Sequence, residues 1–231
     1  LGSEENWREY NHVYLFNLEH SPQYLDRNTS YNAQFNHVLS PKTFYNLGFG
    51  SFETLRKRGD GVHFDRLADY YRVTNPRFDT AIPLFFLDGH VFDDYLQRRS
   101  SYYGGQGSLT SQINRYHQLK FGADYQRHTL RYFNHFFPVQ LGGTNPNLSD
   151  WDGYGYDMQV IRDGLGNITR VDLIETDDDS QDGPKHPRTW STYVQDKFER
   201  EGVVVNGGLR FDHINVDTEA LASETRPLGI E

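Results

Sequence analysis

The chain has 231 residues and a formal net charge of -9, and only 36% of its residues are hydrophobic, although it contains 16 Tyr, 16 Phe and 21 Gly. This composition argues against a helical bundle or a parallel α/β sheet, whose buried elements need runs of Leu, Ile and Val, and favours antiparallel strands. The negative charge without a Lys/Arg block argues against a nucleic-acid partner, and the lack of Cys excludes disulfides, thiolate zinc sites and cysteine nucleophiles.

The first predicted hairpin covers residues 29–54. In its first arm Tyr31, Ala33 and Phe35 alternate with polar residues, which is the two-residue period of a strand with one apolar face. The turn "LSPKT" places Pro41 where no ladder hydrogen bond is needed. A long connection is predicted next, at about 57–107, with one short helix in "HFDRLADYY".

The second predicted hairpin covers residues 108–133 and turns near "NRYH". Leu119, Phe121 and Ala123 alternate with polar residues or Gly in its second arm. A second long connection is predicted at about 134–188. Within this connection, "YDMQVIRDGLGNITRVDLIE" itself indicates a hairpin, because "DGLGN" supplies residues that tolerate positive backbone angles.

Aromatic and acidic residues are interleaved in "NPNLSDWDGYGYD", at the start of the second long connection. Trp151, Tyr154 and Tyr156 are the candidate ligand-binding residues, since aromatic faces beside carboxylates suit a sugar or a peptide. The same composition also suits a loop that packs on itself. Both interpretations remain open from the sequence.

Four aspartates follow in "ETDDDSQDG", namely Asp177, Asp178, Asp179 and Asp182. Closely spaced carboxylates can hold calcium, but this segment lacks the Asp-x-Asp-x-Asp-Gly framework and the glutamate at the twelfth position. Solvated, disordered charge is the alternative that the composition favours.

The third predicted hairpin covers residues 189–213 and turns at "FEREG". Its second arm alternates between an apolar and a polar face. The apolar face carries Val203, Val205, Leu209 and Phe211, and the polar face carries Asn206, Arg210 and Asp212. The alternation alone fits a soluble sandwich with one solvated face. Short turns at one end of the hairpins and long connections at the other are typical of an outer-membrane barrel.

Two further features favour the barrel. The polar faces are rich in Asn, Gln, Gly and Asp rather than Lys and Glu, which suits a crowded polar lumen. The apolar faces carry aromatic residues near their ends, where a barrel has its interfacial girdle. These residues are Tyr31, Tyr45, Tyr125 and Phe133.

The third hairpin also resembles a known family. The segment "YVQDKFEREGVVVNGGLRFDH" resembles the Tyr-x-Gln-Asp-Lys and Val-Asn-x-Gly-Leu-Arg-Phe/Tyr-Asp hairpin of TonB-dependent outer-membrane receptors, especially the Oar-like receptors that carry a carboxypeptidase-regulatory-like domain. "HQLKFGADYQRHTLRYF" and "FNHVLSPKTFYNLGFGSF" are similar to other barrel hairpins of that family.

This resemblance implies a barrel of about 22 strands that encloses a plug and imports a small nutrient across the cell outer membrane with energy relayed by TonB. Residues 1–231 are then expected to be an internal slice of one β-barrel domain, since about eight strands are the fewest that close a barrel. Its partners would be outer-membrane lipid, the remaining strands, the plug domain and, through the plug, TonB. The apolar face of 203–211 would contact lipid, and the polar face would line the lumen.

No pattern in the sequence indicates catalysis. There is no His-Glu-x-x-His or Gly-x-Ser-x-Gly motif, so the chain is predicted not to be an enzyme and to have no catalytic residue, metal ligand or cofactor. The alternative function is a soluble, secreted all-β carbohydrate-active or carbohydrate-binding protein. Three Asn-x-Ser/Thr sequons, at Asn28, Asn147 and Asn167, fit secretion but arise readily by chance.

Overall fold

The computed structural model describes residues 1–75, 85–141, 151–180 and 182–217. Strands account for 65% of the structure and helices for 6%, so the predicted all-β class is confirmed. The helices in the described residues are short, and they are 3₁₀ helices at His12–Tyr14 and Leu18–His20, α1 (Leu67–Tyr70) and α2 (Pro138–Leu141).

The described residues form ten strands. They are β1 (Gly2–Arg8), β2 (Gln23–Ser40), β3 (Thr43–Gly59), β4 (Asp94–Gln112), β5 (His117–Phe136), β6 (Trp151–Tyr154), β7 (Tyr156–Arg162), β8 (Ile168–Glu175), β9 (Arg188–Arg200) and β10 (Val203–Asn215). Eight of them make one sheet in the order β1-β2-β3-β4-β5-β9-β10, and β6 pairs with β5 off this path. The predicted antiparallel, up-and-down meander is therefore confirmed, and the sheet is not closed.

The strands run further than the sequence pattern predicts. β3 continues to Gly59 and β4 begins at Asp94, so the first long connection covers 60–93 rather than 57–107. Charged residues extend these strands because they pair with neighbouring strands: Arg56 Nε lies 2.5 Å from Asp26 Oδ1 on β2, and Arg58 Nη2 lies 2.5 Å from Asp94 Oδ2 on β4. Such residues look like a solvated edge in the sequence alone.

The chain divides into two compact units. Unit 1 comprises Leu1–Tyr31, Ser51–Ser101 and Thr129–Pro184, and unit 2 comprises Asn32–Gly50, Tyr102–His128 and Lys185–Glu231. Every buried hydrophobic residue in the described part of the chain belongs to unit 1. The described residues of unit 2 thus form a sheet without a buried apolar core of its own.

Unit 1 contains two small hydrophobic clusters. The first contains Leu67, Tyr95, Phe133 and Tyr156, and the second contains Tyr70, Val91 and Val139. The sequence places Phe133 in an interfacial girdle, but this residue is 0% exposed and its ring stacks on Trp151 with centroids 5.3 Å apart. The girdle position of Phe133 is therefore wrong, because β6 and α1 cover this end of β5.

The predicted hairpin within the second connection is confirmed as β7–β8. Its turn is closed by the Asp163 carboxylate, whose Oδ1 accepts from the backbone N–H groups of Leu165 and Asn167 at 2.9 Å each, while Oδ2 accepts from Asn167 Nδ2 at 3.0 Å. Gly166 adopts a φ of 87°, which a glycine reaches without a Cβ clash.

Candidate functional site

The two faces of the unit 2 sheet can be assigned from its register, because directly opposed residues of antiparallel strands lie on the same face. Three consecutive polar rows cross β5, β9 and β10. They are Asp124, Ser191 and Asp212, then Gly122, Tyr193 and Arg210, and then Lys120, Gln195 and Gly208. The predicted alternation in the third hairpin is therefore continued by its neighbouring strands.

The polar face of unit 2 lines a hollow of about 930 Å³. Side chains from β2, β3, β4, β5, β9 and β10 contribute to it, including Gln34, Asn46, Gln106, Lys120 and Arg210. A second hollow of about 410 Å³ also involves Gln34, Gln106 and Arg210. The sequence suggests a polar face on each strand, but the hollow requires the curvature that brings β2 and β10 to one space.

Charged side chains of β5 and β10, namely Lys120, Asp124 and Arg210, line one side of the hollow. Arg210 Nη2 donates to Asp124 Oδ1 at 3.3 Å, and its Nε donates to Asp212 Oδ1 at 2.8 Å. The Ser191 hydroxyl also donates to Asp124. This side of the hollow therefore offers a guanidinium and the Asp124 carboxylate to a polar solute.

Tyr193 lies flat against β5 on the same face. A Cβ atom at Gly122 would stand 2.5 Å from Cε1 and Cζ of the Tyr193 ring, so only a glycine at this position leaves room for the ring. The Lys120 ammonium lies over that ring, 5.6 Å from its centroid, within the range of a cation–π contact. Glycines opposite an aromatic residue are a known means of fixing strand register.

The opposite face of the unit 2 sheet is apolar and exposed. Phe121, Val194 and Leu209 form one row across β5, β9 and β10, and Leu209 is 79% exposed. Asp196 in the next row is a charged residue on this face, and its Oδ2 lies 2.7 Å from Nδ1 of His117 near the turn end of these strands. Exposed apolar patches of this kind mark contact with a partner or with lipid.

The three predicted ligand-binding aromatics differ in their surroundings. Tyr156 is 2% exposed and belongs to the first hydrophobic cluster of unit 1, so its ring packs against the protein instead of a ligand. Trp151 is partly buried on Phe133. Tyr154 stacks on Tyr132 with centroids 6.0 Å apart and is partly exposed. Ligand contact by Trp151 and Tyr154 stays a prediction.

The structure also brings together three residues that the sequence analysis did not connect. His20, Asp60 and His63 each place one potential ligand atom within 4.8 Å of the others, and they are the single such group of three in the described residues. No spacing motif signals them, because His20 ends a 3₁₀ helix while Asp60 and His63 lie 40 residues or more further along, in the turn after β3.

The four aspartates of 177–182 belong to no comparable cluster in the parts of the chain that the structure describes. Asp177 instead accepts a backbone hydrogen bond from Ser180 at 3.1 Å, and the carbonyl of Asp182 accepts one from Gly155 at 2.7 Å. These contacts connect the segment to the start of β7 without using its carboxylates.

Among the described residues, no helix combines the length and the apolar character that crossing a membrane requires. No family model, no curated protein and no solved structure matches this chain.

Proposed function

We propose that this chain forms wall strands and substrate-facing loops of a TonB-dependent receptor in the outer membrane, where it takes part in the uptake of a small nutrient. In this proposal β2 to β5, β9 and β10 are barrel strands, and the two edges of the sheet continue into further strands of the same receptor. A plug domain fills the lumen and relays contact with TonB. The chain carries out no catalysis.

The contrast between the two faces of the unit 2 sheet carries this proposal. One face presents Leu209, Phe121 and Val194 to the exterior, and the other lines a polar hollow of about 930 Å³. A soluble sandwich would cover the apolar face with a second sheet, whereas a barrel presents it to lipid and keeps its polar face inside. The resemblance of residues 193–213 to a receptor hairpin supports the same function.

The hollow supplies the groups that a polar solute would meet along the wall. Arg210, Asp124 and Lys120 provide charges of both signs, and the amides of Gln34, Asn46 and Gln106 provide donors and acceptors. The long connections between strands supply the contacts outside the membrane. In this proposal Asp196 lies on the lipid face, and Asp196 and His117 form an ion pair near the short turn, at the expected membrane boundary.

Cysteine accessibility tests the orientation of the two faces. The chain has no native Cys, so a thiol reagent labels only the cysteine that is introduced. The lipid-facing positions to be substituted singly are Val205, Leu209 and Phe211. In lipid vesicles we expect them to resist a water-soluble maleimide and to be reached by a lipid-soluble quencher. Matched substitutions of Asn206 and Asp212 should react with the maleimide, since both residues lie on the polar face of the sheet.

Aqueous labelling of positions 205, 209 and 211 with protection of 206 and 212 would reverse the faces and contradict the membrane proposal. Detergent phase separation provides a second criterion. A barrel wall enters the detergent phase, whereas a chain that stays monomeric in the aqueous phase would favour the soluble, secreted carbohydrate-binding alternative.

A further inference from the structure

The cluster of His20, Asp60 and His63 lies in unit 1 and shares no residue with the polar hollow of unit 2. It combines two imidazoles with one carboxylate, a donor set that suits zinc and other divalent first-row transition metals. One atom of each residue lies within 4.8 Å of the other two. Around a tetrahedral zinc ion, donor atoms are about 3.4 Å apart, so small side-chain movements bring these three to binding distance.

The carboxylate of Asp60 is held rigidly. It is 0% exposed, and its oxygens accept backbone hydrogen bonds from Val62 at 2.8 Å, His63 at 3.0 Å and Phe92 at 2.9 Å. Nδ1 of His20 lies 2.9 Å from both oxygens. A buried carboxylate that is fixed by backbone N–H groups is positioned before a ligand arrives, which reduces the cost of ordering the site.

The two segments that carry the histidines are held together by close backbone contact. A Cβ atom at Gly61 would lie 2.1 Å from the carbonyl oxygen of Glu19 and 2.7 Å from that of Ser21, so glycine is required where the turn meets the 3₁₀ helix. Arg8 joins the same two segments, because its guanidinium donates to the carbonyls of Gly61 at 3.0 Å and Glu19 at 3.4 Å.

The loop that carries Asp60 and His63 is also held by hydrogen bonds to the Tyr70 side chain. The backbone N–H of Asp60 donates to the Tyr70 hydroxyl at 2.6 Å, and this hydroxyl donates to the Phe64 carbonyl at 2.8 Å. Phe64 itself adopts a φ of 44°, an uncommon conformation for a non-glycine residue. The turn therefore has one well-defined shape that directs His63 toward Asp60.

Two further carboxylates approach the histidines. Glu19 Oε1 lies 3.8 Å from Nε2 of His20, and Asp69 Oδ2 lies 3.8 Å from Nδ1 of His63. Nδ1 of His63 is buried and has no hydrogen-bond partner among the described residues. Glu19 is exposed, so a surface carboxylate adjoins the buried His20.

We propose that His20, Asp60 and His63 bind one divalent transition-metal ion, for which Zn²⁺ is the probe. The ion replaces the direct contact between His20 and Asp60 by coordination to both. Each imidazole binds in its neutral form through a nitrogen without hydrogen, so a neutral ring keeps its N–H on the other nitrogen and a proton is released only by a ring that was an imidazolium before binding. Glu19 or Asp69 is placed to accept a hydrogen bond from a ring N–H or from a metal-bound water, as outer carboxylates do at zinc sites.

The test is a titration of the full chain in detergent, first stripped with a chelator and then followed by calorimetry with Zn²⁺ and by visible absorption with Co²⁺. We expect one saturable ion per chain. His63→Ala should weaken binding at least about tenfold, since even the loss of an outer partner costs about 10–100-fold in affinity. His63 is half-buried, so this variant is expected to keep its β-sheet circular dichroism.

His117→Ala is the matched control, because His117 also pairs with a carboxylate, Asp196, but has no second histidine in a three-residue cluster among the described residues. It should bind Zn²⁺ as the unmodified chain does. Asp60→Asn, which keeps the size of the side chain, should also lose affinity. Absence of saturable Zn²⁺ binding, or equal binding by folded His63→Ala, would overturn the site. Either result would leave the face assignment of unit 2 unaffected, since that depends on cysteine labelling.

Discussion

Arg210 on β10 reaches past β9 to donate a hydrogen bond to Asp124 on β5, with Nη2 3.3 Å from Oδ1. The same guanidinium donates to Asp212 at 2.8 Å, so one cation serves two carboxylates. We expect Arg210→Asp to lower the unfolding midpoint, because it places three like charges together. The double variant Arg210→Asp with Asp124→Arg should recover most of the loss.

Thermal unfolding in detergent at low salt measures this coupling. The difference between the single and double variants should shrink at about 1 M salt, where the screening length is about 3 Å. Additive effects of the two substitutions would show that the charges do not interact.

The two faces of β10 should differ in their tolerance of charge. If the proposed barrel places Leu209 near the bilayer midplane, Leu209→Arg is expected to cost about 2–4 kcal/mol of stability in lipid, since nothing there solvates a guanidinium. Asn206→Arg is the matched control and should be milder. Gly208 is unsuitable as a control, because any Cβ there meets the Val194 carbonyl oxygen at 2.7 Å. Equal losses for Leu209→Arg and Asn206→Arg in a lipid folding assay would argue against a lipid-facing Leu209.

The stability of unit 1 should depend strongly on the buried Phe133 ring. Its ring is fully buried between Tyr95 and Trp151, so Phe133→Ala is expected to cost about 3–5 kcal/mol in unfolding free energy. Phe136→Ala, three residues further along β5 at a site that is 44% exposed, should change stability by less than about 0.5 kcal/mol. Denaturant titration compares the two, and similar midpoints would contradict the packing described for this cluster.

Gly61→Ala should damage unit 1 through steric conflict with the Glu19 and Ser21 carbonyls, by about 1–3 kcal/mol. Gly164→Ala provides the comparison, because a Cβ there meets no atom within 4 Å and the expected change is below about 1 kcal/mol. Hydrogen exchange of the 3₁₀ helix at Leu18–His20 localises the effect. Unchanged protection of the Leu18–His20 amides from exchange in Gly61→Ala would show that the turn at Gly61 can move away from this helix without loss of stability.

The β7–β8 turn should loosen at acid pH. Hydrogen bonds from the side chain and then the backbone of Asn167 lower the pKa of Asp163 below its ordinary value. A carboxyl group whose pKa is lowered on folding stabilises the turn above its unfolded pKa of about 3.9, and this stabilisation is lost as the pH falls through the folded pKa. The amide chemical shift of Asn167 should follow this loss. Asp163→Asn keeps an acceptor oxygen without a titrating group, so its turn should show no such dependence.

The sequence predicts the meander because alternation within each strand is a local property. Tyr31, Ala33 and Phe35 need no distant partner to indicate a strand, and "DGLGN" is enough to indicate the β7–β8 turn. The ends of β3 and β4 are not predictable in this way, since Arg58 becomes acceptable in a strand only when Asp94 lies opposite it. Pairing between elements that are far apart in the chain has no local signature.

The site residues likewise include some that a local sequence pattern indicates and some that depend on distant elements. The polar face of β10 is evident from Asn206, Arg210 and Asp212, but the hollow also needs strands that begin more than a hundred residues earlier. Tyr156 has the composition of a ligand-binding residue and is buried because α1, another distant element, packs against it. His20 and Asp60 meet only through the close approach that Gly61 permits, which no single-sequence pattern indicates.

The contact between Gly122 and Tyr193 has a consequence for the width of any passage along the polar face. The ring can lie flat on the wall only because position 122 has no side chain. A methyl group at that position would turn the ring away from β5 and into the open space, and the Lys120 ammonium above it would have to follow. A single missing carbon atom therefore sets the local width of the hollow, and a substitution at position 122 is sufficient to narrow it by moving the Tyr193 ring and the Lys120 ammonium inward.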